Sequence, residues 1–194
     1  MCTHGFPSVQ DVKGLRIKKI INFNSIRLIP EMNFTCRSTI VKVIVAGRPQ
    51  SGRLQNNMMR KPMKLQIWRL ENPTVVDGRY QRVKNINLMF NICSEINVNE
   101  IRINRYNNIS IYECILKKNV QVSVEPGDII GIELPPEPIA NFELYSVTES
   151  GLTNYIFERT RDRRSFIVDL CNRTFEATVL PLVRVEVNPP RSSE

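Results

Sequence analysis

Apolar and polar residues trade places along most of this chain at every second position, the period of an extended strand with two unlike faces. In NVQVSVEPG, starting at Asn119, the residues Val120, Val122 and Val124 alternate with Gln121, Ser123 and Glu125, as a half-buried antiparallel strand requires. In MKLQIWRLE, Leu65 and Ile67 point one way while Gln66 and Trp68 point the other. The run TIVKVIVAG puts Ile40, Lys42, Ile44 and Ala46 on one face and Val41, Val43 and Val45 on the second. Further strands are predicted over 15–21, 25–29, 80–88, 98–103, 110–116, 142–147, 155–159 and 175–187, which makes about eleven in all.

Helical spacing is weak throughout. VKNINLMFNICSEINVNEIRIN, from Val83, touches it in places, but asparagine and isoleucine disfavour helix and the alternation suits strands. A short helical turn over 50–59 or after Pro136 is compatible with the pattern. Strands that follow one another without helices pack as two sheets. The expected fold is therefore all-β: a single antiparallel two-sheet β-sandwich, jelly-roll-like, over residues 14–188, with tails at 1–13 and 189–194.

VEPGDIIGIELPPEP (124–138) belongs to that scaffold. Pro126 presets φ at the second position of a type II turn and Gly127 supplies the positive φ needed at the third. After the reversal, Ile130, Ile132 and Leu134 share one strand face and Ile129, Gly131 and Glu133 the other; Gly131 marks a bulge or a close backbone approach. Pro135 and Pro136 end the strand because they donate no ladder hydrogen bonds. A phosphate-loop reading fails, since neither the glycine spacing nor a following helix is present.

Composition narrows the setting. In 194 residues there are 27 Lys and Arg against 19 Asp and Glu, a net charge of +8. The cations fall in short groups, such as Arg79, Arg82 and Lys84 or Arg159, Arg161, Arg163 and Arg164, and read as solvated faces and loops rather than a polyanion footprint. No window approaches the ~18–20 unbroken apolar residues of a membrane helix, so no membrane segment is expected. The start, MCTHGFPSVQDVKG, lacks the apolar region of a secretory leader; secretion would need a leader removed or lying upstream.

Five cysteines, Cys2, Cys36, Cys93, Cys114 and Cys171, stand far apart without a CxxC pair, which excludes zinc knuckles and thioredoxin-type motifs. They suit either cystines in an oxidising compartment or buried thiols. Cys93 with Cys114 could join neighbouring strands, Cys36 with Cys171 could tie early strands to late ones, and Cys2 is left over. Sequons at Asn33, Asn108 and Asn172 are candidate glycosylation sites.

The order of MNFTCRSTIVKVIVAGR (from Met32), LQIWRLENPTVVDGRYQRV (from Leu65), YECIL (from Tyr112), VSVEPGDIIGIELPP (from Val122), NYIF (from Asn154) and LPLVRVEV (from Leu180) resembles a family of extracellular domains expanded in sponges, whose pattern runs FTC, IQIWR, YEC, VQPGDILG, NYVF and LPLV. The resemblance spans about Met32 to Val187. It implies secretion, cystines and a β-sandwich, but no activity and no site residues.

Chemistry is sparse. His4, the one histidine, lies in the expected tail, a poor place for a base that must be held against a nucleophile. No metal and no cofactor is expected. Glu71, Asp77, Glu113, Asp128, Glu133 and Glu143 could furnish the carboxylate pair of a glycoside hydrolase, though nothing in the sequence pairs any two. Trp68, Arg69, Asn72, Asp77, Arg79 and Tyr80 gather an aromatic face and polar groups around one inter-strand loop, the arrangement that holds a sugar ring or a protein hot spot; core packing is the competing use of Trp68. Met58, Met59 and Met63 cover one end of the sandwich or form a plastic contact patch. The expected function is a non-enzymatic extracellular recognition or adhesion module binding a protein or glycan through sandwich-end loops. The alternatives are a carboxylate-dependent hydrolase and an intracellular capsid-like jelly roll binding nucleic acid.

Overall fold

The computed structural model describes residues 3–5, 17–19, 25–50, 60–72, 78–102, 108–136, 139–148, 154–158, 167–170, 176–177 and 179–188. Cys2, Met58, Met59, Asp77, Cys171 and Asn172, singled out in the sequence, lie outside them. Within the described residues the chain is all-β, and two antiparallel sheets pack together as a sandwich.

One sheet has nine strands. Its centre is β4 (Ser38–Pro49), flanked by β16 (Val183–Asn188) and by β8 (Asn108–Leu116). β7 (Cys93–Arg102) pairs with β8, and β9 (Val122–Val124) pairs with β4. β11 (Phe142–Thr148) extends the sheet to β2 (Ile17–Lys19) and β15 (Val179–Pro181), and β1 (Thr3–Gly5) lies against β16. β1 thus stands inside the stretch expected as a tail. Three residues are too few to show an alternation, and their place comes from pairing with the edge of β16.

The seven-stranded sheet runs β13 (Ile167–Asp169), β6 (Arg79–Leu88), β5 (Met63–Leu70), β10 (Ile129–Leu134), β3 (Ser25–Asn33), β12 (Asn154–Glu158) and β14 (Glu176–Ala177). The helix-like stretch from Val83 is β6, a single 3-10 turn at Phe90–Ile92 and β7. β7 starts five residues earlier than the alternation indicated.

Between the sheets, Leu65, Ile67, Ile130, Ile132 and Leu134 meet Ile40, Val43, Leu144, Val183 and Val185 in one buried cluster. Each aliphatic side chain removed from water there contributes roughly 1.5–3 kcal/mol. A second cluster gathers Ile44, Ala46, Ile109, Ile111, Val147 and Leu182 with Ile29 and Met32. Ile40 departs from the simple alternation. The ladder runs Lys42↔Glu186 and then Ile40↔Val187, so Val41 is bulged out and Ile40 joins Val43 instead of Ile44.

β10 is buried along its whole length. Ile130, Ile132 and Leu134 face the main core, whereas Ile129 packs with Leu28 and Trp68 in a separate cluster. The turn before it has the expected geometry: Gly127 has φ 87°, and the Asp128 N–H donates to the Glu125 carbonyl over 3.1 Å. Gly131 marks a close approach, for a Cβ there would lie 2.6 Å from Leu28 Cδ2 and 2.6 Å from Trp68 Nε1.

Candidate functional site

Of the sequence-predicted contact residues, Trp68, Arg69, Asn72, Arg79 and Tyr80 are described and flank the β5–β6 connection of the seven-stranded sheet. Its neck is closed by the Glu71 N–H, which donates to the Arg79 carbonyl over 2.9 Å. Gly78, with φ 70°, turns the chain into β6, and the Leu170 N–H donates to the Gly78 carbonyl over 2.9 Å. The connection therefore leaves and rejoins the sheet through a hydrogen-bonded base.

The set then divides. Trp68 is only 1% exposed. It packs with Leu28 and Ile129, with Tyr80, Val168 and Leu170 against them. Its ring is used as core, and Tyr80 is half-buried beside it. Arg69, Asn72 and Arg79 are exposed, and Arg79 stands 4.0 Å from Asp169. These three polar side chains, rather than an aromatic platform, make the accessible part of the surface.

Arg69 is held in place from below. Its Nε donates to Asp128 Oδ1 over 2.7 Å and its Nη2 to Asp128 Oδ2 over 2.9 Å. The hydrogen bonds to Asp128, opposed by partial burial and aided by the carboxylate charge, raise the Arg69 pKa above its ordinary value. Asp128 is wholly buried and also accepts the Glu125 N–H over 2.9 Å. One carboxylate thus ties the Pro126–Gly127 turn to the end of β5.

Beside it runs a polar chain that was not anticipated. Trp68 Nε1–H donates to Gln66 Oε1 over 2.9 Å, Gln66 Nε2 donates to Glu133 Oε2 over 2.7 Å, and Lys64 Nζ donates to Glu133 Oε1 over 2.7 Å. Arg82 stands 4.0 Å from the same carboxylate. The signal was present: Lys64, Gln66 and Trp68 share a face by alternation, as do Gly131 and Glu133. Buried polar groups of this kind are retained because each has a partner.

The carboxylates considered for hydrolysis are spread over both sheets. Asp128 and Glu133 are buried with their oxygens occupied, Glu113 stands 3.7 Å from Lys42, Glu71 is exposed and Glu143 lies on β11. Among the described residues no group of three or more His, Cys, Asp or Glu side chains is placed to hold a metal ion. A cavity of about 50 Å³, lined by Val43, Met63, Leu88, Tyr112 and Phe142 and bordered by Cys93 and Cys114, has room for a few water molecules and is well short of a sugar ring.

Cys93 and Cys114 form a disulfide across the β7–β8 pair, with Cα atoms 5.3 Å apart. Of the sequons, Asn33 is exposed at the end of β3 and Asn108 begins β8. No helix among the described residues is long and apolar enough to cross a membrane. No protein-family model matches the chain, and neither a curated protein nor a solved structure does.

Proposed function

We propose that this protein is a non-enzymatic recognition module of the cell exterior, binding a protein or a glycan through the β5–β6 connection. The observation that carries this reading is the anchored base of that connection. Arg69 is clamped by buried Asp128, the neck is closed by Glu71 and Arg79, and Arg69, Asn72 and Arg79 are turned to solvent. Preset polar groups on a rigid sheet lose little conformational entropy on binding. Two guanidinium groups and an amide suit carboxylates, sulfates and hydroxyls, the donor and acceptor groups of acidic glycans and of acidic protein surfaces. The Cys93–Cys114 bond is compatible with an oxidising compartment, and the exposure of Asn33 would admit a glycan there.

The test is a screen of the whole chain against a glycan array and against cell surfaces, repeated with Asn72→Ala/Arg79→Ala. The expected result is saturable binding that falls by about tenfold or more in the double variant while thermal stability is kept. Binding that ignores both substitutions, or binding to neither surface, overturns the reading.

A further inference from the structure

Among the described residues β7 lies at an edge of the nine-stranded sheet: its ladder partner there is β8, and residues 94–100 are all exposed. Such an edge offers unpaired backbone N–H and C=O groups to any second strand, and edges are commonly blocked by proline, lysine or a bulge. Ser94–Glu100, SEINVNE, has neither proline nor lysine, and its one register shift falls at the very start, between Cys93 and Glu95. Ile96 is 37% exposed and Val98 52%, two of the five large apolar side chains that are exposed among the described residues.

We propose that β7 is a self-recognition edge, which pairs antiparallel with β7 of a second copy of this chain about a two-fold axis through Asn97. The sequence itself selects the partner and the register. Directly opposite residues in an antiparallel pair share a face, so a two-fold axis normal to the sheet must pass through one residue and its own copy. Centred on Asn97, the pairing sets Ile96 against Val98 of the second copy twice over, which makes a stripe of four apolar side chains. Glu95 then faces Asn99, and Glu100 faces Ser94, so every acid meets a neutral polar residue. The two Glu95 carboxylates stand about four residues apart along the strands, roughly 13 Å, beyond the screening length of about 8 Å at physiological salt. Centred on Val98 instead, the pairing would set each Ile96 against Glu100. The Cys93–Cys114 disulfide fixes the base of the edge to β8, so little ordering remains to oppose association.

The experiment is sedimentation equilibrium of the full chain over a range of concentrations, together with two kinds of variant. The wild type is expected to dimerise reversibly. Val98→Lys should raise the dissociation constant by about tenfold or more with unchanged thermal stability of the monomer. Under mild oxidation Asn97→Cys should form a covalent dimer, peptide mapping placing the link between the two substituted positions, whereas Asn99→Cys should not. A wild type that stays monomeric, a dimer indifferent to Val98→Lys, or a covalent link at position 99 in place of 97 would each overturn the proposal.

Discussion

Arg69 and Asp128 meet fork to fork, two N–H groups on two carboxylate oxygens, with the arginine 45% exposed and the aspartate wholly buried. The pair is unequal in what its loss would leave behind. Without Arg69, the Asp128 carboxylate is stranded in the interior with the Glu125 N–H as its remaining partner in this network. Arg69→Ala should therefore lower stability by about 2 kcal/mol. Arg37→Ala, which removes the solvent-exposed pair with Glu125, should cost less than about 0.5 kcal/mol. Urea unfolding of the two variants checks this, and equal midpoints would contradict it.

Gly131 leaves room for nothing larger. An added methyl group would overlap both Leu28 Cδ2 and Trp68 Nε1, at 2.6 Å from each, and the indole is already fixed by Gln66. Gly131→Ala should destabilise by about 1–3 kcal/mol. The shift of Trp68 away from Gln66 should appear as a change in tryptophan emission before any unfolding, and Trp68 is the sole tryptophan in the chain. An unchanged spectrum at full stability would refute the close packing.

Lys42 joins three strands on the side of β4 turned from Val43. Its Nζ lies 2.9 Å from Glu186 on β16 and 3.7 Å from Glu113 on β8. The hydrogen bond to Glu186, with the two carboxylate charges, outweighs partial burial and raises the Lys42 pKa above its ordinary value of 10.5. A folded-state pKa above the unfolded one gives stability that is fully present below 10.5 and is lost as pH rises through the raised value. Lys42→Met should accordingly cost about 0.5 kcal/mol at pH 8, and the gap to wild type should close in strongly alkaline urea titrations. A gap that widens with pH would show the sign to be wrong.

The Cys93–Cys114 bond closes a segment of 21 residues. Removing it by Cys93→Ser/Cys114→Ser should lower stability by about 3 kcal/mol, chiefly by enlarging the unfolded ensemble. Peptide mapping without reductant should recover the two cysteines in one linked fragment. Recovery of both as alkylated thiols from oxidising expression would contradict the bond.

How much of this was legible depended on whether a signal was local. The turn at Pro126–Gly127 and the division of β10 into a face of Ile130, Ile132 and Leu134 and a face of Ile129, Gly131 and Glu133 could be read directly, because proline, glycine and strict alternation constrain the backbone at their own positions. The pairing of Cys93 with Cys114 was one of the open possibilities, since a hairpin brings two neighbouring strands together. Ile40 was misassigned because a bulge at Val41 depends on what lies across the ladder, which alternation alone does not reveal. Arg27 was missed for the same reason. It lies in the interior of the seven-stranded sheet, 7% exposed, and burial lowers its pKa, whereas its short run SIRLI carries no mark of that fate. Trp68 was placed on the correct face but also considered for ligand contact, because Gln66, which accepts its indole N–H, is itself held by Glu133 of β10, a partner distant in sequence.

The order β5, β10, β3 in the seven-stranded sheet sets a timetable as well as a shape. β3 and β5 are synthesised early yet have no ladder in common, and the strand that joins them emerges only once residue 134 has been made. Until then each presents a bare apolar edge, and closure must bridge distant parts of the chain, the kind of topology that folds in milliseconds to seconds. A chain cut before that strand would keep the β5–β6 ladder yet leave β3 with no neighbour to join it to them.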